Sequence, residues 1–179
     1  AANKTYIMSS YSGSITELNI AEGSYVNEGD LIAHIKSTDL DMQQDSLQSQ
    51  LDIYKKQKSQ YEKLVKSIQD DKNYFSETDI DDQPYYYQYE TYKSQVEQKT
   101  FDASAYQAAG YTDAQIKTMM EQNQSEIQAL YYSTMQSISA SLTSVQSNID
   151  NLQSQMDALN TGANDYYIYA PTSGVIHMD

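Results

Sequence analysis

Few residues in this 179-residue chain are of a type that does chemistry, and they lie far apart. His34 and His177 are the two histidines. His34 sits in Leu31-Ile32-Ala33-His34-Ile35 and His177 follows Gly174-Val175-Ile176, both segments that read as strand, and no nucleophile–carboxylate constellation surrounds either. The two rings could pair where these segments meet, but a strand histidine with a solvated tip is the simpler reading. Asp79, Asp81 and Asp82 offer alternate oxygen ligands of the kind Ca²⁺ takes. They lack the glycine and terminal glutamate of a loop site, so a solvated linker is expected. There is no Cys, which removes disulfides, thiolate zinc sites and cysteine nucleophiles together. These residues predict no catalytic centre, no metal site and no cofactor.

Tyrosine is the abundant functional side chain, at 18 residues with no Trp. Tyr54, Tyr61, Tyr89, Tyr92 and Tyr131 fall on the seam of a helical repeat, their hydroxyls reaching water at its edge. Tyr85, Tyr86 and Tyr87 are consecutive and would point three ways round a helix, leaving at least one exposed. Exposed tyrosines favour protein contacts, so this run is the candidate interface.

The elements that must position these residues follow from periodicity. Tyr131, Met135, Ile138, Leu142, Val145, Ile149, Leu152, Met156 and Leu159 step by four and three without a miss. That is a coiled-coil seam too narrow to be a core by itself. Its partner is read in Leu40, Leu47, Leu51, Tyr54, Tyr61, Val65 and Ile68, with Gln44 and Lys58 in the same register and Thr38 or Asp39 as N-cap. The period lapses over 73–83, and Pro84 suits the first turn of a new helix. Thr112 and Gln115 form a capping box, and Gly162 is the expected stop. Helices are predicted over about 39–71, 84–109 and 112–160. The two outgoing helices exceed the returning one by roughly 15 Å. The spacing therefore predicts a fold-back around Asn73–Pro84 and three helices abreast in the distal half.

Residues 5–36 read as up to four short strands: 6–8, 14–20, 21–26 and 31–35, with turns marked by Gly13, Gly23 and Gly29. A second strand-turn-strand phrase, with Pro171 and Gly174, occupies 165–179. The fold class is α+β, with the helical segment 37–162 inserted between 5–36 and 165–179.

Composition restricts partners. Net charge is −14 with pI near 4.3, and no Arg is present. Phosphate backbones are bound by Lys and Arg, so nucleic acid is not expected, nor is direct binding to an anionic membrane surface. No run approaches the roughly 18 apolar residues of a transmembrane span. No signal peptide is visible at Ala1–Tyr6, and both ends look cut. We expect a fragment whose membrane anchor lies in a missing segment.

Two phrases carry a family resemblance: Gly13-Ser14-Ile15-Thr16-Glu17-Leu18 through Glu22-Gly23-Ser24-Tyr25-Val26-Asn27-Glu28-Gly29-Asp30-Leu31-Ile32, and Ile168-Tyr169-Ala170-Pro171-Thr172-Ser173-Gly174-Val175-Ile176. Together they look like the halves of a biotinyl/lipoyl-type module whose connecting hairpin is replaced by coiled coil. This arrangement resembles the HlyD-type membrane-fusion, or periplasmic adaptor, family. The Tyr- and Asp-rich interruption at Tyr74–Tyr92 resembles the accessory proteins of Gram-positive bacteriocin and peptide ABC exporters. The resemblance implies a non-enzymatic adaptor in the extracytoplasmic space, beside an ABC transporter in the cytoplasmic membrane and self-associated into a ring. Adaptors of macrolide-type efflux pumps are the alternative. Members that dock on a TolC-type duct carry an Arg-containing tip motif, which a chain without Arg cannot form, so no such duct is expected. A carrier domain would need its modified lysine at a β-turn apex between methionines; Lys36 lies near the place but leads into a helix cap. A passive coiled-coil stalk is the third reading.

Overall fold

The computed structural model describes residues 4–8, 13–160 and 165–178. The chain is helix-rich, with two long helices of 33 and 48 residues and small antiparallel sheets. Strand β1 spans Gly13–Leu18, β2 Tyr25–Val26 and β3 Leu31–Ser37. Helix α1 covers Thr38–Asp70, α2 Gln83–Glu97, α3 Ala103–Ala108 and α4 Asp113–Asn160, before β4 (Asp165–Tyr169) and β5 (Gly174–Val175). The chain divides into two compact units, Ala1–Asp52 with Asn151–Asp179, and Ile53–Asp150.

In the first unit β3 is the centre of a sheet ordered β1-β3-β4, and β2 pairs with β5 in a separate ribbon. The strands before the helices are thus closed by the strands after them, since β3 pairs antiparallel with β4. Ile32, Ala33 and Ala170 are buried together, with Ile20, Val26, Ile168 and Ile176 packed around them. The stretch Tyr6–Met8, expected as a strand, forms none: its side chains are exposed and no described strand supplies hydrogen-bond partners for it.

The glycines differ in why they are needed. Gly23 and Gly29 have φ of 80° and 89°, turn conformations that side chains resist. Gly13 is not a turn residue but the first residue of β1. A Cβ there would lie 2.2 Å from the Lys36 carbonyl oxygen, so close strand approach sets the requirement. Gly174 pairs with Val26 in β5 and has open space around it. Pro171 comes directly after Ala170, whose N–H makes the bond to Asp30 at 2.8 Å, so its missing donor falls outside that pairing.

Ser37, rather than Thr38 or Asp39, caps α1: its Oγ accepts from the Leu40 N–H at 3.3 Å. Within the first unit Leu51, Leu152 and Met156 are buried and Leu47 and Leu159 half-buried. The helix expected over 84–109 is two helices. Asp102, in an extended conformation, accepts from the Ser104 N–H and starts α3 afresh. Gly110, at φ 90°, ends it in the left-handed conformation usual after a helix. Thr112 and Gln115 exchange hydrogen bonds at 2.9 and 3.2 Å to open α4. The expected stop at Gly162 lies outside the described residues.

Candidate interaction site on the helical unit

The candidate interface residues lie in the second unit, and the site is built from where α1 ends. Asp71, with φ 51°, turns the chain out of the helix. Ser67 is fully buried because its hydroxyl serves both sides of that turn, donating to the Lys63 carbonyl and accepting from the Tyr74 N–H. The segment 73–82 then runs back alongside α1. Asn73 donates to the Tyr86 carbonyl and to Glu90. At the far end Asp81 meets Lys56 at 2.5 Å, and Asp82 accepts from Gln60 at 2.7 Å with Lys63 3.8 Å away. Asp82 also accepts from the Ser76 N–H, and Asp79 accepts from the N–H groups of Asp81 and Asp82. Helix α2 accordingly begins beside Lys56–Lys63 and runs in the direction of α1, its Tyr89 lying by Asp71.

Asp79, Asp81 and Asp82 spend their oxygens on backbone N–H groups, Gln60 and lysines. No group of three or more His, Asp or Glu among the described residues is arranged to hold a metal. Of the two histidines in the other unit, His34 stacks on Tyr167 at 4.5 Å and His177 Nδ1 lies 2.9 Å from Glu22.

Three helices and the fold-back segment share one core. Leu64, Ile68, Phe75, Tyr89 and Ile138 are buried in it. Tyr61, Val65, Tyr85, Tyr86, Tyr92, Tyr131, Met135 and Leu142 pack around them. The structure thus gathers the seam residues Tyr61, Val65, Ile68, Tyr131, Met135, Ile138 and Leu142 into one cluster. Tyr54 is half-buried beyond it, and Val145 and Ile149 are buried further along α4.

The three consecutive tyrosines divide as a helix requires. Tyr85 meets Tyr61 edge-on at 5.4 Å and stacks on Phe75 at 5.6 Å. Tyr86 is half-buried against the core, while Tyr87 is 52% exposed. Beside Tyr87 lies an open groove of about 530 Å³ between α2 and α4, with Leu64, Ile68 and Ile138 at its apolar part. Gln88, Thr91, Gln95, Ser133, Thr134 and Ser137 complete most of its wall, and no charged residue lines it. The arrangement can dock an uncharged surface.

Electrostatics follow from burial. Tyr89 is pushed up to about 12, first by burial and then by Asp71, to which its hydroxyl donates a long bond of 3.4 Å. Burial also raises Tyr85 and Tyr92. The Ser76 N–H and then Gln60 hold Asp82 below the usual carboxylate range. The hydrogen bond to Asp81 raises Lys56.

The heptad reading passes over Leu64, which is 1% exposed, and over Ser67 and Phe75. A signal for Leu64 exists in Tyr61, Leu64, Val65 and Ile68. This stripe is wider than an a/d seam and calls for two neighbouring helices rather than one.

Comparison with known proteins adds to this geometry. Residues 43–119, which contain the fold-back and α2, match the family described as the LcnD-like, long helical bundle domain. The chain is 32% identical over 131 residues to the transport protein ComB of Streptococcus pneumoniae. That alignment takes in 68% of this chain and 28% of ComB, so the chain spans little more than a quarter of that relative's length. The structure of the periplasmic adaptor protein EmrA aligns at 15% identity and a TM-score of 0.40, covering 92% of this chain and 62% of EmrA. Its LcnD-like helical segment and its likeness to a transport protein support an HlyD-type membrane-fusion family.

Proposed function

We propose that the chain is part of a non-enzymatic adaptor of a bacterial ABC export complex that secretes peptides or bacteriocins. The observation that carries this is the match of residues 43–119 to an LcnD-like bundle, in a chain similar to a transport protein. The adaptor works by geometry. Strands β1–β3 and β4–β5 are the halves of a biotinyl/lipoyl-like module, a reading supported by the pairing of β3 with β4 and of β2 with β5. The helices are a coiled-coil hairpin with a broken outgoing arm, supported by the shared core of α1, α2 and α4. Copies of the adaptor assemble laterally into a ring or tube that guides cargo from the transporter. The protein is extracytoplasmic, attached to the membrane through a segment outside these residues. No helix among the described residues is long and apolar enough to cross a membrane. Without Arg, the hairpin engages no TolC-type duct.

A carrier role draws no support from Lys36. It lies in β3, one residue before the Ser37 cap, with its ammonium 3.7 Å from Asp41.

The test is deletion of the gene in the native host, with exported peptide measured in the medium and inside the cells. The expected result is loss of secretion at unchanged transporter level, and recovery of the ABC transporter with the full-length adaptor after detergent extraction. Undiminished secretion would overturn the proposal.

A further inference from the structure

The segment 72–82 of the second unit is tied down in a way that lets it leave. Of its eleven residues, all of them described, only Phe75 is buried. Phe75 stacks on Tyr85 at 5.6 Å, with the Lys63 ammonium 5.1 Å from its ring. Past Tyr74, two exposed lysines and one glutamine tie the segment to α1. Lys56 pairs with Asp81, both side chains more than half exposed, and Lys63 lies 3.8 Å from Asp82. Gln60, buried beneath the segment, donates to Asp82 at 2.7 Å and to the Asp81 carbonyl at 3.3 Å.

Both ends of the segment are pinned. At one end the Lys72 N–H donates to the Ser67 carbonyl, and Asn73 donates to the Tyr86 carbonyl and to Glu90. At the other, Tyr85 and Tyr89 hold α2 in the core. Asp71, at φ 51°, begins the turn in a left-handed conformation that side chains resist, and strain of this kind collects at switch regions. The chain between the pins has slack. Eleven residues reach about 36 Å when extended, whereas α1 from Lys56 to Asp71 rises only about 22 Å. The segment also keeps a turn of its own. Ser76 Oγ accepts from the Thr78 and Asp79 N–H groups, Asp79 from those of Asp81 and Asp82, and Asp82 from that of Ser76. None of these bonds needs α1.

We propose that residues 72–82 are a hinged strap, latched by Phe75 and governed by ionic strength, which swings off α1 and uncovers Gln60, Tyr61 and Tyr85 while the three-helix core stays folded. Burial of Phe75 makes the closed strap the resting state. Ion pairs between exposed side chains are weak in water and weaker in salt, so the lysine ties set how often the strap opens. The device is confined to the helical unit and holds whether or not the chain serves a transporter.

The test is limited chymotrypsin digestion of the full-length protein, with fragments identified by mass spectrometry. Cutting of the Phe75–Ser76 bond is divided by that of a free peptide of residues 70–82 in the same buffer, which removes the protease's own response to salt. That bond is cut only after Phe75 has left the core, so the ratio follows the open population. Cutting after Tyr89, 1% exposed, reports loss of the core itself. The expected result is a ratio at Phe75–Ser76 that rises about fivefold between about 0.05 and 0.5 M NaCl, with cutting after Tyr89 at background. Lys56→Gln/Lys63→Gln should raise the low-salt ratio by a similar factor and abolish its response to salt. A ratio indifferent to salt in the parent protein would overturn the proposal. So would cutting after Tyr89 as fast as after Phe75, or a salt response that survives the double replacement.

Discussion

Lys56 and Asp81 are 25 positions apart and meet at 2.5 Å, although α1 runs on from Lys56 to Asp70 before the chain turns. The contact means that the chain retraces the end of α1 before α2 begins. Three helices can then pack side by side where a plain pair would offer only a seam. The turns from Lys56 to Ile68 accordingly bury residues on two sides, with Leu64 toward the shared core and Gln60 toward Asp82.

The clasp should be sensitive to acid. Asp82 has its pKa depressed in the folded state, so its stabilisation is present above the unfolded value of about 3.9 and is lost as pH falls through the folded one. Urea midpoints are expected to be level between about pH 7 and 5 and to fall below about 4. Asp82→Asn should cost about 1–3 kcal/mol at neutral pH by weakening bonds to Ser76 and Gln60. It should also flatten part of the acid limb, as urea unfolding of variant and parent across pH would show.

Core position decides the cost of a lost side chain. Leu64→Ala removes a residue 1% exposed and should destabilise by about 2–5 kcal/mol. Ile80→Ala, at a residue 82% exposed in the fold-back, should change stability by no more than about 0.5 kcal/mol. Equal midpoint shifts for the two would contradict the packing described.

Alkaline unfolding should report on Tyr89. Its pKa is raised in the folded state, so its contribution is complete below the unfolded value near 10 and is lost as pH rises through about 12. Phenolate absorbance should show a late-titrating tyrosine that disappears in Tyr89→Phe. At neutral pH that variant should lose about 1 kcal/mol or less, because the bond to Asp71 is long at 3.4 Å.

Three glycine substitutions should rank by cause. Gly13→Ala forces a Cβ to 2.2 Å from the Lys36 carbonyl oxygen and should disrupt the β1–β3 pairing most. Gly23→Ala, at φ 80°, should cost about 1–2 kcal/mol. Gly174→Ala meets nothing within 4 Å and should be nearly neutral. Amide exchange in β3 would order them.

What the sequence by itself determined is whatever depends on near neighbours along the chain. The apolar period marks Thr38–Asp70 and Asp113–Asn160 as helices, because side chains three and four apart share a face in any helix. Pro84 in the first turn of α2 and the Thr112–Gln115 exchange are local in the same way. The absence of Cys and Arg limits the chemistry without any fold. Tertiary structure alone decided how the candidate interface divides. Tyr85, Tyr86 and Tyr87 are chemically identical, and only the position of Phe75 and α1 makes two of them packing residues and leaves the third on a groove. It likewise decided why Gly13 is glycine, since the carbonyl that excludes a side chain there belongs to Lys36 on another strand. The same holds for Ser67, whose burial has meaning only once Tyr74 turns back to donate to it. A heptad records that a partner exists. It does not count partners: the surplus length of the outgoing helices points to a fold-back and a third helix, and only the arrangement in space shows that Tyr61, Leu64, Val65 and Ile68 share one core with α2 and α4.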